Sequence, residues 1–200
     1  MEYLDMELEL TGSLPTDGET RTGKYRVRVL RSPAGEMTAE EATPVEYDDK
    51  QLQYSLDQLE QRELDTDGLL KLGRTLAAII LPTSGSDRDA GVRELFARSM
   101  ATATANTGLR LRLRLPAELS VIPWEYMYID RAGGEGADGF LALDPRVAIV
   151  RHDSLTVPAN PPLLTGDIRV VTAIAAPEGL VPLDLDREQR VLNEALGGLD

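Results

Sequence analysis

The chain contains no cysteine. That removes disulfides, thiolate metal sites and a thiol nucleophile together, and it fits a reducing compartment. A single histidine, His152, leaves zinc and iron without the ligands they prefer. Aromatic residues make up 4% of the chain, so its core has to be built from Leu, Val, Ile and Ala. Positive charge is also short: 21 Lys and Arg stand against 34 Asp and Glu, a net charge of -13. Such a surface repels nucleic-acid phosphates and anionic lipid headgroups, and neither nucleic acid nor membrane is an expected partner. No apolar stretch approaches the ~20 residues needed to span a bilayer. Residues 1–10 alternate acidic and apolar positions and lack the basic-then-apolar order of a secretory signal. The expected location is cytoplasmic.

What is present is ordinary globular composition, 42% hydrophobic and 28% charged over 200 residues. This suits one domain, or one and part of a second. Tyr3 to Leu10 has a period of two, with Leu4, Met6, Leu8 and Leu10 opposed by Asp5, Glu7 and Glu9. Tyr25, Val27 and Val29 repeat the pattern against Lys24, Arg26 and Arg28. Acidic outer positions on one strand and basic ones on the next predict an antiparallel hairpin. Ser32 to Glu36 reads as a turn, and residues 36–49 as a loop or irregular strand around Pro44. Leu52, Leu56, Leu59 and Leu64 approach helical spacing. A second helix is expected from a Thr66 or Asp67 cap to Pro82, and a third from an Asp87 or Asp89 cap to Asn106-Thr107-Gly108.

Leu109 to Leu115 alternates Leu with Arg110, Arg112 and Arg114, one polar face of a strand rather than a nucleic-acid patch. Further strands are expected near 126–129, 140–143 and 147–150. The proline-bearing stretch from Thr156 to Gly166 reads as a linker. Ile168 to Ala176 is almost continuously apolar, the pattern of a parallel strand covered on both faces, and Asp186 opens a helix with Val191, Leu192 and Leu196. The expected class is α/β. Residues 1–166 make an N-terminal part with antiparallel hairpins and helices, and 167–200 supply the first strand and helix of a parallel-sheet core. A strand of that kind needs neighbours, so more chain is expected to follow.

The chemical motifs resolve to structural roles. Gly134-Glu-Gly136-Ala-Asp-Gly139 has dinucleotide-fingerprint spacing, but a strand-like run follows it and Glu135 and Asp138 sit where phosphate would lie, so it reads as a hairpin loop. His152-Asp153-Ser154 is contiguous, whereas triads assemble from distant positions. Asp65-Thr-Asp67-Gly68 has Leu69 and Leu70 where a calcium loop needs an oxygen ligand and a glycine, so helix capping explains its aspartates better. Asp186 reads as an N-cap, and Gly23-Lys24-Tyr25 as a turn. No pair of carboxylates is singled out by spacing, which leaves a carboxylate hydrolase a distant option. No catalytic, cofactor-binding or metal-binding residue is therefore assigned, and no cofactor is expected. Pro123-Trp124-Glu125 stands apart. Trp124 is the only tryptophan and a natural core anchor whose indole N–H needs an acceptor. Glu125 beside it needs a cation, and Arg151 is the candidate, bracing the core by an ion pair.

Taken in order, residues 25–36, Leu109 to Pro116, Ile122-Pro-Trp-Glu125, Phe140-Leu-Ala-Leu143, Val150-Arg151, Ile168 to Pro177 and Leu183 to Glu188 resemble the CHAT domain family. These are caspase-like cysteine peptidases often associated with TPR repeats. The resemblance implies that 167–200 begin a caspase-like core. It also implies that the family's dyad, a His in a His-Gly motif and a later Cys, lies beyond this chain. His152 precedes Asp153 and cannot inherit that role. The chain is then the non-catalytic N-terminal part of a protease used in bacterial signalling, cell death or defence. Its partners would be the remaining C-terminal part of the same protease and protein or peptide substrates. The alternative is a stand-alone interaction module derived from the same fold.

Overall fold

The computed structural model describes residues 2–14, 22–83, 91–104, 106–130, 139–151, 171 and 184–196. The chain forms two compact units, Met1–Thr156 and Val157–Asp200.

The first unit is built on a mixed five-stranded sheet, confirming the α/β class. Its strands are β1 (Glu2–Ser13), β2 (Thr22–Arg31), β3 (Thr43–Asp48), β4 (Thr107–Arg114) and β5 (Val147–Arg151), in the spatial order β3-β2-β1-β4-β5. The expected hairpin is present: β1 and β2 run antiparallel, with Glu9 opposite Arg28 and Leu10 opposite Val27. Within the stretch read as a loop or irregular strand, residues 43–48 form a regular edge strand. Thr43, Val45 and Tyr47 turn inward, and Pro44 is tolerated because its missing N–H lies in an edge strand. Gly23 is not in a turn but in β2, where a Cβ would sit 2.4 Å from the Tyr47 ring.

Parallel pairing already occurs here: β1 pairs with β4, and β4 with β5. The alternating pattern of β4 gave no sign of this, because a one-sided parallel strand looks like an antiparallel one. Met6, Leu8, Val27, Val29, Leu111 and Leu113 are fully or almost fully buried on one face. Each such side chain contributes roughly 1.5–3 kcal/mol when removed from water.

Helices α1 (Asp49–Glu60), α2 (Thr66–Ile80) and α3 (Val92–Ala101) supply Leu52, Leu72, Leu76, Ile80, Val92, Leu95 and Phe96 to the same core. Their caps differ from expectation. Asp48 caps α1 through the Gln51 amide, and Asp65, rather than Thr66 or Asp67, caps α2 through the Gly68 amide at 2.8 Å. Gly91 occupies the N-cap of α3 without a side-chain bond, and Asp87 and Asp89 lie outside the described residues. That helix ends at Thr102, and Thr107-Gly108 already belong to β4. Leu64 lies outside α1, which closes in a Schellman turn: the Glu63 amide donates to Gln58 O and the Arg62 amide to Leu59 O.

In the second unit, α5 (Leu185–Leu196) is the described element. Its cap is Asp184, which accepts from the Arg187 amide, not Asp186. Val191 is exposed and Leu192 half-buried. The run Ile168–Ala176 lies outside the described residues except for Val171, which is exposed.

Arg62 holds φ at 60°, the left-handed region that costs a residue with a Cβ roughly 1–2 kcal/mol. Arg62→Gly is expected to raise stability by about 1 kcal/mol, or ~2–4 °C in Tm for a chain of this size. A thermal melt that shows no gain would mean that Arg62 makes compensating contacts.

Candidate functional site

Trp124 follows Pro123 into a 3-10 turn, Trp124–Tyr126, just after the short helix α4 (Ala117–Ser120). Its indole is completely buried, and Nε1 donates to Leu119 O at 2.9 Å. The polar end of the largest side chain is therefore satisfied by the turn that delivers it. Burial of Trp124 is what pins the connector between β4 and β5 under the sheet.

The two neighbours singled out with it are brought together. Arg151, the last residue of β5, donates Nη1 to Glu125 Oε1 at 2.5 Å and Nη2 to Oε2 at 3.0 Å. The same guanidinium donates Nε to Ser120 O at 3.0 Å and Nη2 to Ile122 O at 2.9 Å. One side chain thus satisfies the carbonyl of the last residue of α4, one carbonyl just past that helix, and one carboxylate. The pair lies at the surface, with Arg151 38% and Glu125 45% exposed, so it braces the core from outside rather than within it. The Arg151 hydrogen bond holds the Glu125 carboxyl below its ordinary range. A planar five-donor fork can meet this set of acceptors, whereas a lysine ammonium cannot.

Beside the clamp, Tyr128 and Phe140 form an isolated antiparallel bridge, with rings edge to face at 5.0 Å. The Ile129 amide donates to Gly139 O at 2.9 Å. The glycine-rich segment therefore springs from a hairpin base, as read, although 131–138 lie outside the described residues. Residues 126–129 and 140–143 are otherwise not strands: 3-10 turns occupy Trp124–Tyr126 and Leu141–Leu143. Gly73 allows α2 to touch this base, since a Cβ there would meet Tyr126 O at 2.6 Å. Arg74 lies over the Tyr128 ring and pairs with Asp130 at 2.7 Å.

The outer face of the sheet carries a second polar constellation that sequence reading captured only in half. Arg28 pairs with Glu9 at 2.6 Å, as the hairpin implies. On the other flank of β1, Arg110 reaches Asp5 at 2.6 Å, Arg112 reaches Asp5 at 3.3 Å, and Arg114 reaches Glu7 at 2.5 Å. The matched two-residue periods of Asp5-Glu7-Glu9 and Arg110-Arg112-Arg114 were the available signal. Arg110 keeps the Asp5 carboxyl below its ordinary range. Tyr25, on the inner face, donates to Glu118 Oε1 at 3.0 Å, and burial pushes its phenol up.

No three His, Cys, Asp or Glu residues gather into a metal-binding group among the described residues. No described helix is long and apolar enough to cross a membrane. His152 lies outside the described residues. In the Trp124–Glu125–Arg151 arrangement the Glu125 carboxylate is taken up by the Arg151 guanidinium. What it can do is tie the end of β5 to the connector that carries Trp124.

Trp124→Ala is expected to cost about 3–5 kcal/mol. Arg151→Ala should cost only about 1 kcal/mol, because its ion pair is solvent-screened. Urea unfolding gives both values, and amide exchange at residues 120–127 should rise selectively in the arginine variant. A loss at Arg151 equal to that at Trp124 would overturn this ranking.

Asp5 and Glu125 both have pKa values lowered by folding, through their hydrogen bonds to Arg110 and Arg151. Their contribution is therefore complete above the unfolded-state value, about 4, and is lost as pH falls through the lower folded-state value. Stability should be level from neutral pH to about 5 and decline below it. Arg110→Gln and Arg151→Gln should flatten the decline; an unchanged slope in both would show that other carboxylates carry it. No family model matches the chain, and no curated protein or solved structure matches it.

Proposed function

We propose that this chain is the non-catalytic N-terminal part of a CHAT-type, caspase-like cysteine peptidase, serving as a structural and regulatory support for a core whose His and Cys follow in the chain. The observation that carries the reading is the Arg151 clamp. The motif Ile122-Pro-Trp-Glu125 and the Val150-Arg151 strand end, two of the segments that carry the family resemblance, meet through three hydrogen bonds. That contact gives the recurrence of both segments a physical reason. In the complete enzyme the downstream thiolate would attack the peptide carbonyl carbon. The histidine would protonate the leaving amine, and water would then release the acyl group. The chain described here supplies none of those groups. Its place would be the cytoplasm, beside peptide substrates and protein partners, in bacterial signalling or defence.

A stand-alone interaction module is the second reading, and one observation favours it. The first unit already closes a core of its own, from Met6 on β1 to Val147 on β5.

Sequencing the gene past the codon for Asp200 and assaying its product on a fluorogenic peptide library separates the two. The peptidase reading expects a downstream His-Gly and Cys, cleavage abolished by a thiol alkylator, and reduced cleavage in Arg151→Ala. A stop codon directly after Asp200, or a longer product without the dyad, would overturn it in favour of the module.

A further inference from the structure

Three consecutive residues of the one-turn helix α4 each accept a side-chain hydrogen bond from outside it. Tyr25 of β2 donates its hydroxyl to Glu118 Oε1 at 3.0 Å. Trp124 donates Nε1 to Leu119 O at 2.9 Å, and Arg151 of β5 donates Nε to Ser120 O at 3.0 Å. β1 and β4 stand between β2 and β5, so the two outer donors sit on strands about 14 Å apart. The link continues past β2, because the Tyr25 ring stacks on Tyr47 of β3 with centroids 5.9 Å apart. Tyr25 is buried, and a phenol taken out of water depends on the acceptor it has found.

Four residues do not hold a helix by themselves, since the first turn fixes several residues for very few hydrogen bonds. Within α4 the amides of Leu119 and Ser120 both turn back to Pro116 O. The turn is therefore kept by its burial and by its outside donors, and it stands or falls as a unit. Leu119 and Trp124 are completely buried and seat it on the core. Tyr25 and Arg151 act on either side of that seat. Ser120 and Glu118 lie within one turn, so a backbone shift at the first re-aims the carboxylate of the second.

We infer that α4 is a conformational relay: displacing Arg151 from its acceptors at the end of β5 loosens the hold of Glu118 on Tyr25 in β2, and the reverse. This goes beyond the peptidase reading and does not rest on it. The test uses the whole chain with 3-fluorotyrosine at its six tyrosine positions. The fluorine resonance of Tyr25 is the one that Tyr25→Phe removes. It should shift or broaden in Arg151→Gln and stay in place in Arg74→Gln, whose ion pair lies on α2. In urea unfolding, the combined effect of Tyr25→Phe and Arg151→Gln on the unfolding constant should fall short of the product of the single effects by roughly threefold or more. Tyr25→Phe with Arg74→Gln should multiply to within about twofold. Reciprocity requires that Tyr25→Phe, with Arg151 intact, speed amide exchange at residues 149–151. The inference is overturned if the Tyr25 resonance ignores Arg151→Gln, if the first pair multiplies as the control pair does, or if exchange at 149–151 is unchanged. The exchange measurement needs no change at Arg151, so it decides the matter even if Arg151→Gln does not fold.

Discussion

The row of carboxylates on the central strand is the constraint on which the sheet depends. Asp5, Glu7 and Glu9 are engaged from both sides, by Arg28 of β2 and by the three arginines of β4. Each partly exposed pair is individually worth little, about 0–1 kcal/mol. Their value lies in register. A slip of one residue in either neighbour would move every arginine to the apolar face and every leucine to solvent. Hydrophobic burial of Met6, Leu8, Leu111 and Leu113 supplies the energy, and the charged rows reject the alternatives to that pairing.

The same strand explains how a mixed sheet arises from segments that look alike. β1 accepts β2 antiparallel on one edge and β4 parallel on the other, because its alternation offers both edges the same two rows. Once β4 is placed, the connector to β5 has to return beneath the sheet. Trp124 holds it there by burying its whole ring, and the clamp of Arg151 on Ser120, Ile122 and Glu125 ties the end of β5 to that connector. The core and the clamp act in series. The buried indole provides the stability, and the surface guanidinium joins the end of β5 to the connector.

Much of this was legible beforehand. The hairpin, the three helices, the strand at 109–115, the buried tryptophan and the Glu125–Arg151 pair all follow from period, charge and the need of each polar group for a partner. The errors share a cause. Asp65 and Asp184 cap helices that were assigned to neighbouring caps, since several adjacent polar residues satisfy the local pattern and backbone geometry chooses among them. Residues 43–48 looked irregular because proline argues against a strand, yet an edge position removes the objection.

Composition and periodicity by themselves determined that this chain would form alternating two-faced strands and amphipathic helices around an aliphatic core, with no thiol chemistry of its own. Those properties reside in single side chains and in nearest neighbours along the chain. The tertiary structure alone decided that β1 lies between β2 and β4, that β4 and β5 are parallel, and that one arginine joins three acceptors from a distant turn. Strand partners and hydrogen-bond acceptors far apart in the chain are selected by global packing, and a local pattern compatible with several partners cannot choose between them.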